Sequence, residues 1–63
     1  MRYQPFSLKS NNWKMFGKIV KTIEEAQKEA MEMFKNTNAE IAGWYALPTK
    51  KGEWAEYVEW CKR

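Results

Sequence analysis

Residues 21–36, KTIEEAQKEAMEMFKN, decide the fold of this chain. Thr22 and Glu25 have the spacing of a capping box, in which the threonine hydroxyl accepts a hydrogen bond from the amide of residue 25. At about 100° per residue, the apolar side chains fall in one arc and charged side chains cover the rest. The segment is therefore predicted to form an amphipathic helix over residues 22–36.

The apolar stripe of this helix consists of Ile23, Ala26, Ala30, Met33 and Phe34. A helix of this length is marginally stable alone in water, so another surface must cover the stripe. The flanking segments are rich in residues that favour strands. We therefore expect the helix to lie across one face of a small antiparallel sheet, in an α+β fold whose other face is open.

Two strands are predicted before the helix, over residues 2–9 and 13–20. Pro5 cannot donate to a strand ladder, which favours an edge strand or an irregular lead-in for the first segment. The second segment alternates regularly, so one set of its side chains would meet the helix stripe. Gly17 in this segment indicates a bulge or a close approach of the helix.

Two further strands are predicted after the helix, over residues 40–47 and 53–61, with a connection at residues 48–52. The last segment is ambiguous, because some of its residues also have helical spacing. This alternative stripe consists of Trp54, Tyr57, Val58 and Cys61. We favour the strand, since Trp, Tyr and Val prefer strands. The predicted order is β-β-α-β-β within one domain, residues 1–63.

The composition excludes several classes of protein. The chain has one cysteine, Cys61, and no histidine, so neither an intrachain disulfide nor a zinc site is expected. No apolar run is long enough to span a membrane, and the N-terminal residues lack the apolar region of a signal peptide. We therefore expect a cytoplasmic protein with no metal, no cofactor and no membrane partner.

No catalytic arrangement of residues is recognisable. Cys61 has no histidine to act as its base, and the serines and threonines lack the partners of a triad. Gly17, Gly43 and Gly52 are isolated from one another, so no phosphate-binding loop is expected. The chain is therefore predicted to be neither an enzyme nor a binder of a small-molecule substrate.

The chain is basic and rich in aromatic residues. Its formal net charge is +3, and residues 1–22 contain five cationic side chains and no acid. Aromatic residues make up 16% of the chain and include four tryptophans, which is more than a thin core is expected to bury. Some rings are therefore expected on the surface, where apolar patches mark interaction sites.

Aromatic and lysine side chains outside the helix form the predicted partner-binding surface. The candidates are Trp13, Phe16, Lys18, Trp44, Lys50, Lys51, Trp54 and Trp60. The sharpest prediction concerns Trp44, because it alternates with Ile41, Tyr45 and Leu47 along its strand. Trp44 is predicted to be partly exposed on the open face of the sheet and to belong to the binding surface.

Three interpretations of these rings follow. Because Trp and Tyr dominate the energetic centres of interfaces, we predict a non-enzymatic protein-binding module whose partner is another protein or a second copy of itself. In size and layout the chain resembles the small α+β proteins that bacteriophages encode to block host enzymes, which implies an inhibitor that occupies a partner's surface. The alternative is a single-stranded nucleic-acid-binding protein, in which bases stack on rings and lysines contact phosphates. In the third interpretation most rings pack the core.

Overall fold

A computed structural model describes all 63 residues of the chain. The elements in chain order are β1 (Arg2–Leu8), β2 (Lys14–Phe16), α1 (Ile23–Asn36), β3 (Ile41–Leu47) and β4 (Glu56–Lys62). The strands form one antiparallel sheet in the order β2-β1-β3-β4, and α1 packs across β1 and β3. The predicted α+β class and the β-β-α-β-β order are confirmed.

The helix begins where the capping signal predicts. The Oγ1 atom of Thr22 accepts a hydrogen bond from the backbone N–H of Glu25 at 3.2 Å. At the other end, the backbone N–H of Thr37 donates to the carbonyl oxygen of Met33 at 3.0 Å. These two caps satisfy backbone groups that an isolated helix end leaves unpaired, and they limit α1 to Ile23–Asn36.

Small side chains dominate the contact between the helix and the sheet. Ala26 and Ala30 are the two buried residues of α1, and both are completely inaccessible. Below them, Ser7 and Ala42 form a cross-strand pair, and both are also completely inaccessible. Because none of these side chains is large, the helix backbone lies close to the sheet. Trp44 is the buried large ring of this helix-covered face and is only 6% exposed.

The predicted position of β1 at an edge is wrong, since β1 lies between β2 and β3. Pro5 is tolerated in this inner strand because its missing N–H faces the short strand β2. Its carbonyl oxygen accepts a hydrogen bond from the N–H of Gly17 at 2.8 Å, and a residue's N and O point the same way in a strand. The other edge of Pro5 faces β3, where the register continues from Arg2 to Leu8 without a break.

The predicted strand over residues 13–20 is also corrected, because regular pairing covers only Lys14–Phe16. Pairing stops opposite Pro5 and resumes as an isolated bridge between Tyr3 and Val20, one residue out of register. The prediction of a close approach at Gly17 is confirmed. A Cβ atom there would lie 2.9 Å from Cγ of Pro5 and 3.2 Å from Sδ of Met33 on the helix.

The last segment is a strand, as favoured from its composition, and its connection to β3 is longer than predicted, over residues 48–55. A bulge interrupts the pairing of β3 with β4 beside Gly43. A Cβ atom on Gly43 would lie only 1.9 Å from the carbonyl oxygen of Val58, so the backbone of β4 occupies the space of a side chain. Glycine is therefore required at this position.

Arg63, which follows β4, contacts the helix α1 and the turn after it. Its Nε–H donates to the carbonyl oxygen of Ala39 at 2.7 Å, and its guanidinium lies 4.8 Å from the ring centroid of Phe34. The interaction stabilises the turn between α1 and β3. No helix of the structure has the length and apolarity needed to cross a membrane.

Candidate functional site

The face of the sheet that the helix does not cover carries a group of aromatic side chains from all four strands. Phe6 lies opposite Phe16 across β1 and β2, and Tyr45 lies opposite Tyr57 across β3 and β4. Lys14 projects from β2 onto the same face, two residues from Phe16. We name these five residues the open-face cluster.

The rings of the open-face cluster form a second apolar core on the helix-free side. Phe6 is completely buried, with its ring centroid 5.2 Å from that of Tyr45 and 5.0 Å from that of Tyr57. Tyr45 and Tyr57 lie 5.3 Å apart, and Phe16 lies 6.1 Å from Tyr45. These separations are in the range of favourable aromatic pairs. The sheet and the mutual packing therefore hold the rings in one arrangement.

The ammonium of Lys14 lies over this aromatic surface. Its Nζ is 5.5 Å from the ring centroids of Phe6 and Tyr45 and 5.6 Å from that of Tyr57. It also donates a hydrogen bond to the hydroxyl of Tyr45 at 2.8 Å. Cation–π attraction and this hydrogen bond together hold a positive charge at the centre of the cluster.

A carboxylate lies at the border of the cluster. The hydroxyl of Tyr57 donates to Oε2 of Glu59 at 3.0 Å, and Nζ of Lys62 lies 2.8 Å from Oε1 of the same side chain. Burial, and then the hydrogen bond to Glu59, raise the pKa of Tyr57 to about 12. The hydrogen bonds from Lys62 and Tyr57 lower the pKa of Glu59. At neutral pH the cluster therefore has a neutral phenol and an ionised carboxylate side by side.

Two rings of the cluster remain open to solvent. Phe16 is 55% exposed and Tyr57 is 43% exposed, whereas Phe6 beneath them is inaccessible. The open face thus offers flat apolar surfaces, a cationic donor at Lys14 and an anionic acceptor at Glu59. This combination can stack a planar group and make hydrogen bonds to its edges.

The structure offers no set of metal ligands and no activated thiol. No group of three or more His, Cys, Asp or Glu side chains could hold a metal ion. Burial raises the pKa of the Cys61 thiol, which favours its unreactive protonated form.

The structure overturns the predicted exposure of Trp44. Its ring lies on the helix-covered face, opposite Pro5 and Val58 in the neighbouring strands, and is only 6% exposed. The alternation along β3 was assigned correctly, but the helix covers the side opposite to the one expected. The reason is the alanine contact of α1, which brings the helix down onto Ala42 and leaves the side of Tyr45 free.

The other candidate residues are not gathered at one place. Phe16 belongs to the open-face cluster, and Trp13 and Lys18 lie exposed on either side of β2. Three candidates lie exposed in the connection between β3 and β4, namely Lys50, Lys51 and Trp54. Trp60 is 40% exposed and contacts Trp44 on the helix side of β4, with their ring centroids 5.8 Å apart. The structure therefore separates Trp54 and Trp60 from Phe16.

Sequence reasoning did not identify Phe6 and Tyr57 as site residues, whereas Lys14 and Tyr45 were among the aromatic and basic side chains considered for a nucleic-acid-binding surface. Alternation within each strand contained part of the signal, since it placed Lys14 with Phe16 and Tyr45 opposite to Trp44. The missing information was the register between strands, which brings the four rings to one face.

One family of proteins matches the chain. A model of the family described as ribosomal protein S10p/S20e matches residues 12–61, which is well over half of the chain. The matched part includes β2, α1, β3 and most of β4, and with them four residues of the open-face cluster. Comparisons with curated proteins and with solved structures gave no match.

Proposed function

The chain belongs to the ribosomal protein S10p/S20e family, and from this membership we propose that it is a non-enzymatic, cytoplasmic module that binds single-stranded RNA. The open face of the sheet is the binding surface. Bases stack on the exposed rings of Phe16 and Tyr57, while nearby lysines contact phosphates. Because a ribosomal protein functions in contact with RNA, the family supports RNA rather than another protein as the partner.

The observation that carries the proposal is the pair of exposed rings on a rigid sheet. Phe16 and Tyr57 are about half exposed, and both belong to a cluster built on the buried ring of Phe6. A base that stacks on such a ring contributes roughly 1–3 kcal/mol to binding. Because the rings are already ordered by their neighbours, little conformational entropy is lost when a base stacks on them.

The distribution of charge supports an anionic partner. Residues 1–22, which include β1 and β2, contain five cationic side chains and no acid. Lys14 lies within the open-face cluster, and Lys18 follows β2 as an exposed side chain. Positive charge beside exposed rings is the electrostatic pattern of a protein that binds nucleic acid.

A second candidate function is supported by the opposite edge of the molecule. Trp54 is 93% exposed and Trp60 is 40% exposed, and neither belongs to the open-face cluster. Tryptophan is enriched in the energetic centres of protein interfaces. This edge supports binding to a protein, either a ribosomal neighbour, a second copy of the chain, or a target blocked in the manner of a phage-type inhibitor.

Fluorescence anisotropy with a labelled single-stranded RNA of about ten nucleotides tests the first function. The logarithm of the association constant should fall linearly with the logarithm of salt concentration, by about 0.7 for each phosphate contacted. Phe16→Ala should weaken binding about fivefold or more, because it removes one stacking surface. The matched control is Trp54→Ala, which removes a more exposed ring outside the cluster and should leave RNA affinity unchanged.

Two results would contradict RNA binding at the open face. One is the absence of measurable binding at low salt, and the other is an equal loss of affinity in Phe16→Ala and Trp54→Ala. Capture of a protein partner from a nuclease-treated lysate, abolished by Trp54→Ala and retained by Phe16→Ala, would favour the second candidate function.

A further inference from the structure

The geometry of the open-face cluster points to guanine as the base that it accepts. This inference rests on the proposed binding of single-stranded RNA and adds the identity of the base. It is carried by two charged side chains of opposite sign next to Tyr57: the ammonium of Lys14 lies 5.6 Å from the ring centroid, and the carboxylate of Glu59 accepts a hydrogen bond from the ring hydroxyl.

Lys14 supplies hydrogen-bond donors at the stacking surface. An ammonium has three N–H donors and no acceptor. One of them is used by the hydroxyl of Tyr45, and the residue is exposed, so two donors remain for a bound group. A base stacked on Tyr57 must therefore present acceptors toward Lys14, which lies 5.6 Å from the centroid of that ring.

Glu59 supplies acceptors at the same surface. Each carboxylate oxygen has one partner, the hydroxyl of Tyr57 on Oε2 and the ammonium of Lys62 on Oε1. A carboxylate accepts about four hydrogen bonds, so each oxygen retains a free acceptor position. The side chain is 32% exposed and can be reached from solvent. Because an anion repels phosphate, its position beside an exposed ring suits the N–H edge of a base better than the RNA backbone.

Guanine is the base that matches both groups. It presents two acceptors side by side, O6 and N7, and lysine is a common partner of this pair. Next to O6 it presents two donors side by side, N1–H and the N2 amino group, which match a carboxylate. Adenine, cytosine and uracil do not present both a pair of adjacent acceptors and a pair of adjacent donors. A guanine stacked on Tyr57 can therefore satisfy Lys14 and Glu59 at once.

Binding of matched oligonucleotides to the unaltered protein is the first part of the test. The probes are single-stranded RNAs of uridines with one central position occupied by guanine, adenine, cytosine or uracil. We expect the guanine probe to bind about fivefold to tenfold more tightly than the other three, as expected of one good paired contact. Inosine, which lacks the N2 amino group, and 7-deazaguanine, which lacks N7, should each lose part of this preference.

Two variants connect the preference to the side chains. In Glu59→Gln, replacement of guanine by inosine should change the affinity less than in the unaltered protein, because one of the two carboxylate acceptors becomes an N–H donor that opposes the paired N–H groups of guanine. In Lys14→Met, replacement of guanine by 7-deazaguanine should no longer change it. Glu56→Gln is the matched control, since Glu56 lies opposite Ala46 on the helix side of β4 and should leave both differences intact.

The outcomes distinguish this inference from the proposed function. Equal affinity for all four probes, or a preference for another base, would overturn guanine selection and leave RNA binding in place. A guanine preference that persists unchanged in both variants would overturn the roles of Lys14 and Glu59. Absence of binding to every probe would overturn the proposed function itself.

Discussion

On the helix-covered face of the sheet, the completely buried side chains are small, whereas on the open face the completely buried side chain is the large ring of Phe6. Ala26 and Ala30 bring the helix backbone onto Ala42. On the other face, Phe6 is covered only by side chains, among them Tyr57 and an ammonium. The two faces therefore exclude water in different ways, one with a helix and one with aromatic rings.

This difference assigns different roles to the two faces. The ring of Trp44 is buried on the helix-covered face and packs against Trp60, so a ligand cannot reach it in the folded protein. The ring of Tyr57 stacks on Phe6, and the rings of Phe16 and Tyr57 are themselves about half exposed. A partner can contact them directly. The helix-covered face stabilises the fold, and the open face is available for binding.

The largest expected effect is the difference in stability between variants of a buried tryptophan on the helix-covered face and of a solvent-exposed tryptophan. Trp44→Ala should destabilise the protein by about 3–5 kcal/mol, because it leaves a cavity beneath the helix. Trp54→Ala, at a residue that is 93% exposed, should change stability by no more than about 0.5 kcal/mol. Urea unfolding of both variants measures the difference in their free energies of unfolding. Equal free energies of unfolding in the two variants would mean that Trp44 is not a core residue.

The helix could be predicted from the sequence because its signals are local. Thr22 and Glu25 are three residues apart, and the apolar stripe lies within one segment. The faces of the strands could be predicted only in part. Alternation shows that Trp44 and Tyr45 point to opposite sides, but it does not show which side the helix takes. That choice depends on how closely Ala26 and Ala30 let the helix approach.

Prediction of the proposed binding surface required information from distant parts of the chain. The hydrogen bond between Lys14 and Tyr45 joins residues 31 positions apart, and no local pattern predicts it. The prediction from Pro5 that β1 lies at an edge was wrong for a similar reason. Its missing donor is tolerated because β2 is interrupted opposite it, and this interruption is a property of the assembled sheet.

The second expected effect concerns the bulge in the pairing of β3 with β4 beside Gly43. Gly43→Ala should cost about 1–3 kcal/mol or more, because the new Cβ meets the carbonyl oxygen of Val58 and backbone must move. Gly52→Ala is the comparison variant. Its new Cβ would have open space around it, but the backbone φ of 91° is unfavourable for alanine. Its cost should be about 1 kcal/mol. Thermal unfolding compares the two variants. An equal loss of stability would show that the backbone of β4 moves away from the new Cβ at little cost.

A smaller effect of opposite sign is expected at the centre of the helix-covered face. The Oγ of Ser7 is buried without a hydrogen-bond partner, so the hydroxyl has lost water and gained nothing. Ser7→Ala should leave stability unchanged or raise it by up to about 1 kcal/mol. Ser10→Ala, at an exposed position, is the control. A clear loss of stability in Ser7→Ala would indicate that the hydroxyl has a partner.

The smallest effect is a shift in the pKa of Tyr57 on the open face. The pKa of Tyr57 is about 12, so ultraviolet titration should show this phenol ionising well after an ordinary tyrosine. Glu59→Gln should move that pKa down toward 10, because it removes the charged acceptor. Since the folded-state pKa is the higher one, the linked stability is fully present below about pH 10 and is lost as the pH rises through 12. Tyr57→Phe identifies the signal, and an unshifted signal in Glu59→Gln would contradict the hydrogen bond.

The most direct test of binding at the open face is an NMR titration of the aromatic side chains with single-stranded RNA. The ring resonances of Phe16 and Tyr57 should shift with added RNA, while those of Trp44 stay in place. Shifts confined to Trp54 and Trp60, with the open-face cluster unchanged, would contradict the assignment of binding to the open face.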